Sequence, residues 1–400
     1  MVTKTQLFSV ASAFCLLMPT AQADTGDFTQ ALTSGKASVN MRLRLEQVQQ
    51  DGKAEDANAL TLRTRLGYMT GDYNDFKAFI EMTNTSALGD QDYLSPGPFG
   101  NGNTAYPVVA DPVLSRINQA FVSYSGFDKT AVKVGRQRAI LDNARFIGNV
   151  GWRQTEQVYD ALVVANSSLA DTTLIYAYVT KGYNILGAEV ESQSHLFNVS
   201  YSGLPFGKIT GYAYLLDLLG DSGAADSQTV GLRFGGKHAL SDSFTLLYNL
   251  EFANQSEYAD ANDGRDADYT KIELGGKIAG VTAKIGQETL GGDGTYGFQT
   301  VLATKHAFNG WADKFLTTPA NGLVDNYVAI GAKPMGIKLL GVYHSFSEDE
   351  GGDDYGTEVD LLAAKKLGKH YLVGAKYASY SADTLATDTD KLWVWGQFKF

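Results

Sequence analysis

The stretch Ser38–Glu46, with the sequence SVNMRLRLE, switches between polar and apolar side chains at every step. Leu60–Tyr68 (LTLRTRLGY) repeats this alternation, and so does the end of the chain, residues 391–400 (KLWVWGQFKF). A period of two places successive side chains on opposite faces of an extended chain. These stretches therefore predict β-strands with one apolar and one polar face.

The connections between such strands follow a rhythm. Every second connection is short, and those between them are mostly longer, as in 84–115, 139–156 and 291–322. Outer-membrane barrels have short periplasmic turns and long outer loops, whereas a soluble sandwich has no reason to alternate. The sequence therefore predicts an all-β fold, a transmembrane antiparallel β-barrel of about 18 strands (16–18). The eighteen predicted strands start near residues 37, 58, 74, 116, 129, 157, 172, 195, 207, 227, 243, 268, 281, 323, 336, 354, 370 and 389.

The composition agrees with this fold class and excludes others. The 400 residues include 43 Gly, 22 Tyr and 20 Phe but 8 Pro, and the mean hydropathy is −0.16. That value is too polar for a bundle of membrane helices, and the apolar content is too high for a disordered chain. The formal net charge of −11 argues against nucleic acid as a partner.

The two ends of the chain predict its destination. Lys4, the apolar run Leu7–Met18 and Ala21-Gln22-Ala23 together predict a secretory signal, residues 1–23, that is cleaved before a single barrel domain, residues 24–400. The amphipathic last strand ends on Phe400, which resembles the assembly signal of bacterial outer-membrane barrels. We therefore expect a Gram-negative-type outer membrane, with its lipid, lipopolysaccharide and barrel-assembly machinery as partners.

Two blocks of sequence carry a family resemblance. The first is GRQ at 135–137 with RFIGNVGWRQT at 145–155, and the second is FQT at 298–300 with AFNGWADKFL at 307–316 and PANG at 319–322. Both resemble the alginate-export family of outer-membrane porins. The resemblance implies a large monomeric barrel that passes polyanionic sugars or other solutes.

Nine of the 11 arginines lie between residues 42 and 153. Arg42, Arg44, Arg63 and Arg65 stand opposite the apolar faces of their strands, so alternation places them in the lumen, where guanidinium groups attract carboxylates. The alternative is structural, with the arginines paired to carboxylates such as Glu46, Glu81 or Glu156. Alternation alone does not place Arg136 and Arg138 in the lumen, because they share the parity of Val132 and Val134. We therefore expect them above the bilayer or at a bulge. The predicted pore-lining or substrate-binding residues are Arg42, Arg44, Arg63, Arg65, Arg136, Arg138, Arg145 and Arg153.

The connection 291–322 is long and, unlike the other loops, aromatic and apolar. Exposing such side chains to water is costly, and long loops are commonly functional. We predict that this loop folds into or over the pore, with a helical turn or two within 302–315. The alternative is an outer cap that packs only on neighbouring loops. The predicted constriction residues are Lys305, His306, Trp311, Asp313 and Lys314.

The sequence thus predicts a channel for passive diffusion of small hydrophilic solutes, anionic ones with carboxylate or uronate groups in particular, or for export of an anionic polysaccharide. The alternative is a barrel that its loops close, with a structural or adhesive role. No catalytic residue, metal site or cofactor is expected, because the five histidines are scattered and Gly220–Gly223 lacks the partners of a serine nucleophile.

Overall fold

The computed structural model describes residues 25–220 and 223–400, and the predicted signal segment lies outside these residues. The described chain begins with a helix, α1 (Thr25–Thr33), which is followed by eighteen β-strands. The strands are β1 (Lys36–Gln50), β2 (Ala57–Met69), β3 (Phe76–Ala87), β4 (Leu114–Phe127), β5 (Thr130–Gln137), β6 (Val158–Asn166), β7 (Thr172–Tyr183), β8 (Glu189–Leu204), β9 (Gly207–Leu216), β10 (Ser227–Ala239), β11 (Phe244–Ser256), β12 (Asp266–Ile278), β13 (Val281–Leu290), β14 (Leu323–Ala332), β15 (Ile337–Ser347), β16 (Asp354–Leu367), β17 (Tyr371–Ala382) and β18 (Thr389–Lys399).

Each strand pairs antiparallel with the next in chain order, and β18 pairs with β1 to close the sheet. In the closing pair, Leu43 lies opposite Gly396 and Arg44 opposite Trp395. Closure leaves no unpaired edge, which is what a sheet surrounded by hydrocarbon requires. The predicted fold class, an 18-stranded antiparallel barrel, is confirmed.

The two faces of the sheet differ in the way the alternation predicts. On β1 and β2, the apolar Leu43 and Leu66 are 44% and 55% exposed, whereas Arg44 and Arg63 are 0% and 3% exposed. This is the reverse of a water-soluble protein, where apolar side chains fill the interior. The outer wall is apolar and the lumen is packed with polar and charged groups, as in an outer-membrane barrel.

Most strands begin within two residues of the predicted positions, and β8 is the exception. It begins at Glu189, six residues before the predicted start, because its first residues are polar (EVESQS) and carry no apolar face. The extension is held by pairing with β7, where Lys181 forms ion pairs with Glu189 (3.2 Å) and Glu191 (2.8 Å).

Helix α1 is a feature that the alternation could not predict. Its last turn is attached to the barrel by backbone contact, since the Gly71 N–H donates to the Ala31 carbonyl (2.8 Å). Phe28 also packs edge-to-face on Tyr73, with ring centroids 5.4 Å apart. Within residues 25–220 and 223–400, no helix has both the length and the apolar character needed to cross a bilayer.

The hydrophobic core lies inside the barrel, where two loops pack against side chains of the strands. The β5–β6 loop (138–157) and the β13–β14 loop (291–322) bring buried aromatic rings against lumen-facing side chains. Phe146 packs on Tyr269 (5.2 Å between centroids), and Phe315 packs on Phe346 (4.5 Å). The β13–β14 loop contains one 3₁₀ turn, Lys305–Ala307, within the region where a helical turn was predicted.

Candidate functional site

Four arginines form what we call the arginine wall: Arg42 and Arg44 on β1, and Arg63 and Arg65 on β2. Arg42 lies directly opposite Arg63 in the strand register, and none of the four side chains is more than 5% exposed. Arg63 donates to the Asn40 side chain (2.7 Å). Four adjacent guanidinium groups repel one another unless other groups compensate their charge. The groups that bind them therefore determine whether these arginines are open to a solute.

The β5–β6 loop covers the first half of the arginine wall. Arg42 donates through Nη2 to the backbone carbonyls of Trp152 (2.7 Å) and Arg153 (2.6 Å), and through Nε to the Gln154 side chain (3.0 Å). Arg44 donates through Nη1 to the same Trp152 carbonyl (2.6 Å). These guanidinium donors are therefore committed to a loop and are turned away from the lumen water.

Carboxylates complete the coverage of Arg44. Its Nη2 pairs with Glu46 (3.1 Å) and with Asp111, which belongs to the β3–β4 loop (88–113). Arg153 of the β5–β6 loop also pairs with Glu46 (3.0 Å). Burial raises the pKa of Asp111, but Arg44, Arg153 and the Gln154 backbone N–H outweigh burial and hold the pKa below its ordinary value. Arg44, Arg153, Glu46 and Asp111 form a buried, charge-compensated network.

A second buried network surrounds Glu156 at the end of the β5–β6 loop. Its carboxylate accepts from Arg65 (3.0 Å), Arg138 (2.6 Å) and the Asn118 side chain (2.5 Å). Arg138 also pairs with Glu81 (2.7 Å). Its side chain therefore lies in the lumen, although its position has the same parity as that of Arg136. Burial raises the pKa of Glu156, but Arg65, Arg138 and Asn118 lower it to about 2. These contacts support the alternative that the arginines pair with carboxylates of the protein.

Arg136 does not join the other predicted pore-lining arginines. It shares the strand parity of Val134, which is 40% exposed on the outer wall. Its guanidinium binds Asp160 (2.9 Å) and lies 3.6 Å from the centroid of the Tyr183 ring. Strand alternation thus places Arg136 on the outer face near the long-loop end, in the position that its parity indicated, so its proposed place in the pore lining does not fit this structure.

Arg145 links the two inward loops. Its Nε lies 2.9 Å from Glu288 on β13, and its Nη2 donates to the Asn309 side chain of the β13–β14 loop (2.9 Å). The side chain is 2% exposed. Burial lowers the pKa of Arg145, but Glu288 outweighs burial and raises it above the ordinary value. This arginine is a structural bridge between the loops.

The tip of the β13–β14 loop, residues 309–312, enters the lumen and contacts the wall. The backbone N–H of Ala312 donates to Glu358 (2.7 Å), and that of Trp311 donates to Asp360 (3.2 Å), both on β16. The Asn309 side chain donates to Glu288 (3.0 Å) and to Asp325 (3.1 Å). These contacts place the loop tip against lumen-facing residues of β13, β14 and β16.

His306 lies where the two inward loops meet. Its ring stacks on Trp152 (centroids 5.3 Å apart, planes within 3°). Its Nδ1 is 2.7 Å from Asp313 and its Nε2 is 2.8 Å from the Lys376 ammonium. Because an ammonium can only donate, Nε2 accepts and the imidazole is neutral with its proton on Nδ1. Burial lowers the pKa of His306 to about 3, with Lys376 acting in the same direction and Asp313 opposing it.

Asp313 and Trp311 secure this junction from the β13–β14 loop. Asp313 pairs with Arg153 (3.0 Å) and with Lys391 on β18 (3.0 Å). The Trp311 ring centroid lies 3.6 Å from the Lys376 ammonium. Burial lowers the pKa of Lys305 and of Lys314 to about 8 each. All five predicted constriction residues therefore belong to the segment that crosses the lumen.

Two spaces remain on either side of the β13–β14 loop tip. The outer cavity, toward the long-loop end, has a volume of about 490 Å³ and includes Arg153, Lys305, Lys314 and Lys391 in its lining. The inner cavities, toward the short-turn end, have volumes of about 510 and 380 Å³. These two adjoin each other, because Lys271, Glu273 and Lys284 line both.

The inner cavities are lined by four basic residues that we call the open wall: Lys208 on β9, Arg233 on β10, Lys271 on β12 and Lys284 on β13. Each lies within 4 Å of a carboxylate, but three of the cations are more exposed than their partners. The side chains of Lys208, Arg233 and Lys284 are 50%, 24% and 36% exposed, whereas Asp142, Glu251 and Glu273 are 11%, 2% and 17% exposed.

The open wall was missed by the sequence analysis, although a signal was present. None of its four residues has a second Lys or Arg two residues away on its strand, whereas the arginines of β1 and β2 stand two residues apart and drew attention. Among the residues that the structure describes, no group of three or more His, Cys, Asp or Glu side chains could hold a metal ion.

A closed 18-stranded barrel with an apolar outer wall, a polar lumen and inward loops defines an outer-membrane channel of the porin kind. More specifically, the chain belongs to the alginate export family, whose model matches residues 33–284. The resemblance to this family is thereby confirmed; the matched range contains the first sequence block (135–155), whereas the second block (298–322) lies beyond it. No curated protein sequence matches the chain.

Solved structures of outer-membrane porins share the fold at low sequence identity. Acinetobacter baumannii OccAB4 superposes with a TM-score of 0.72 at 14% identity, covering 92% of this chain and 98% of that one. Pseudomonas aeruginosa OpdK, solved with vanillate, gives a TM-score of 0.71 at 13% identity (91% and 98%). Pseudomonas aeruginosa OccK9 (OpdG) gives a TM-score of 0.73 at 12% identity (92% and 100%). At these identities the likeness is one of fold.

Proposed function

We propose that this channel lets small hydrophilic solutes diffuse passively across the outer membrane, and that it favours anions bearing carboxylate or uronate groups. The observation that carries the proposal is the unequal exposure along the open wall. Lys208, Arg233 and Lys284 reach into the inner cavities, while their carboxylate partners lie deeper in the wall. In the larger inner cavity, which all four cations line together with Asp142 and Glu273, a solute meets cations first, and basic linings favour anions.

Two further observations support an anionic solute. The outer cavity has Arg153, Lys305, Lys314 and Lys391 in its lining, against the single carboxylate of Asp313. OpdK, which shares the fold, was crystallised with vanillate, a carboxylate. Export of an anionic polysaccharide, which the family's name suggests, would use the same charges but a wider passage than the separated cavities offer.

The test is ion selectivity in planar bilayers. We expect purified protein to form channels whose reversal potential in a KCl gradient reports a preference for chloride. Changing Lys208, Arg233 and Lys284 to Gln should lower the anion-to-cation permeability ratio by about twofold or more. The matched control changes three exposed turn lysines, Lys129, Lys333 and Lys369, to Gln, which alters the net charge equally and should leave the ratio unchanged.

A barrel closed by its own loops, with a structural or adhesive role, is the second candidate. The contact of His306 with both Trp152 and Lys376 favours it, because this contact joins the two loops to the wall across the lumen. Absence of conductance from correctly folded protein would support this second function and overturn the first. We further expect a monomer that reaches the outer membrane through a cleaved signal and whose terminal Phe400 is recognised by the barrel-assembly machinery.

A further inference from the structure

The tip of the β13–β14 loop is held to β16 by its main chain. Glu358 and Asp360 stand two residues apart on the same lumen face and accept the backbone N–H groups of Ala312 and Trp311. The two carboxylates are 1% and 0% exposed. The remaining oxygens, Glu358 Oε2 and Asp360 Oδ1, are buried and accept no hydrogen bond from another residue, and the two carboxyl groups interact with each other.

This adjacency argues against a purely stabilising contact. Two acidic groups buried side by side disfavour each other's ionisation, and apolar side chains of similar size would avoid the cost of burying them. Such a pair directly beneath a loop tip therefore indicates that the position of the tip matters more than the stability of the wall.

Gly310 makes the close approach possible. Its φ angle is +82°, a left-handed conformation that side-chain-bearing residues rarely adopt. A Cβ atom at this position would lie 2.2 Å from Glu358 Oε2. The glycine thus meets two requirements at once, a backbone turn and direct contact with the carboxylate.

The tip is also the partition between the two spaces in the lumen. Asn309, Gly310 and Trp311 line an inner cavity, whereas the next two residues, Ala312 and Asp313, line the outer cavity. A solute that passes from one cavity to the other must pass this segment. Where the tip lies therefore determines how wide the passage is.

We propose that Glu358 and Asp360 are positioning residues that set the size limit of the channel by holding residues 309–312 across the lumen, with Gly310 permitting the contact. This inference rests on the proposed function, because a size limit exists only in a channel. When these carboxylates lose their acceptor oxygens, or when Gly310 gains a side chain, the tip leaves β16 and larger solutes pass.

The first experiment is liposome swelling with neutral sugars of increasing size, from arabinose to raffinose. We expect the Glu358→Ala/Asp360→Ala double variant and Gly310→Ala to admit sugars that the wild-type protein excludes. Glu358→Gln/Asp360→Asn keeps an acceptor oxygen at each position and should retain the wild-type limit. The matched control is Glu348→Ala, which removes the acceptor for Asn321 at the rim end of the same loop (2.8 Å) and should not change the limit.

The second experiment measures the tip directly and does not require transport. Ala312 is 2% exposed, and its replacement by Cys leaves the backbone N–H in place. A water-soluble maleimide should label Ala312→Cys slowly in the wild-type background and about tenfold faster when combined with Glu358→Ala/Asp360→Ala, since charge-assisted hydrogen bonds are lost. Protein without Ala312→Cys gives the background from Cys15, the chain's other cysteine position.

The outcomes separate the two proposals. If the wild-type protein passes small sugars but the alanine variants and Gly310→Ala change neither the size limit nor the labelling rate, the positioning role is wrong. If no folded variant passes any sugar, the proposed function is wrong and the size-limit role falls with it. Heat-modifiable gel mobility identifies folded variants, and the Gln/Asn pair provides a conservative comparison if an alanine variant does not fold.

Discussion

The arginine wall and the open wall both place basic side chains at lumen-facing positions of their strands, yet the surroundings of these side chains are opposite. Arg44 is fully buried between Glu46, Asp111 and a loop carbonyl. Lys208 is 50% exposed in a cavity, with its partner Asp142 3.7 Å away. The number of cations on a lumen face therefore does not identify the solute path. What identifies it is whether a loop covers those cations.

The largest expected effect is a loss of protein stability when the arginine wall is changed. Arg44→Ala leaves Glu46 and Asp111 buried with Arg153 as their remaining cation, and losing one partner of such a network costs about 3–5 kcal/mol. Lys284→Ala breaks the pair with Glu273, in which the lysine is 36% exposed, and should lower the free energy of unfolding by about 0–1 kcal/mol. Urea unfolding in detergent or lipid, followed by tryptophan fluorescence, measures both. Equal losses would remove the distinction between the walls.

The next effect concerns selectivity. Changing Arg42 and Arg63 to Gln should leave the permeability ratio unchanged, because neither side chain is more than 5% exposed and the β5–β6 loop binds Arg42. Changing Lys208 and Lys284 to Gln removes the same formal charge from the open wall and should lower the ratio. Reversal potentials of both double variants in one salt gradient make the comparison. A larger shift from the arginine pair would reverse our assignment of the two walls.

The two inward loops should also be released from the barrel at different pH values. His306 has its pKa lowered to about 3 by burial, so the folded loop binds fewer protons than the unfolded one between pH 3 and 6.5. The stability that neutral His306 provides is present above pH 6.5 and is lost as the pH falls toward 3, by about 1.4 kcal/mol per pH unit. The rate of maleimide labelling of Ala312→Cys, divided by that of a free thiol at the same pH to remove the change in thiolate fraction, should therefore rise between pH 6.5 and 4. His306→Gln should remove this acceleration.

The β5–β6 loop should stay attached over that range. Glu156 has its pKa lowered to about 2 by Arg65 and Arg138, so its contribution is present above pH 4.5 and is lost only as the pH falls toward 2. A cysteine at Val150, in the same labelling experiment, should thus stay slow to react at pH 5. Simultaneous release of both loops at pH 5 would contradict this order.

The smallest effect is expected at Arg136 on the outer face. Its pair with Asp160 is 22% and 30% exposed, and pairs of this kind contribute at most about 1 kcal/mol. Arg136→Gln should leave the permeability ratio unchanged and change the free energy of unfolding little. A clear change in selectivity would return Arg136 to the pore lining, where the sequence had included it.

Much of the fold could be predicted because it depends on local alternation. The loop predicted at 291–322 has those bounds in the structure, and the one predicted at 139–156 extends over 138–157. Helix α1 and the start of β8 escaped prediction, since neither carries an apolar face of period two. The roles of Glu358 and Asp360 also escaped, because a lumen carboxylate looks the same in sequence whether it faces water or a loop backbone.

By itself, the sequence determined two faces per strand, the closed barrel that hydrocarbon requires, and the cations of the lumen. Only the tertiary structure decided which of those cations a loop covers and which line a cavity. Arg42 and Gln154 are 112 residues apart, and Arg145 and Asn309 are 164 apart, so no local pattern reports their contact. Coverage by a distant loop turns one basic wall into a structural support, and its absence leaves the other open to water.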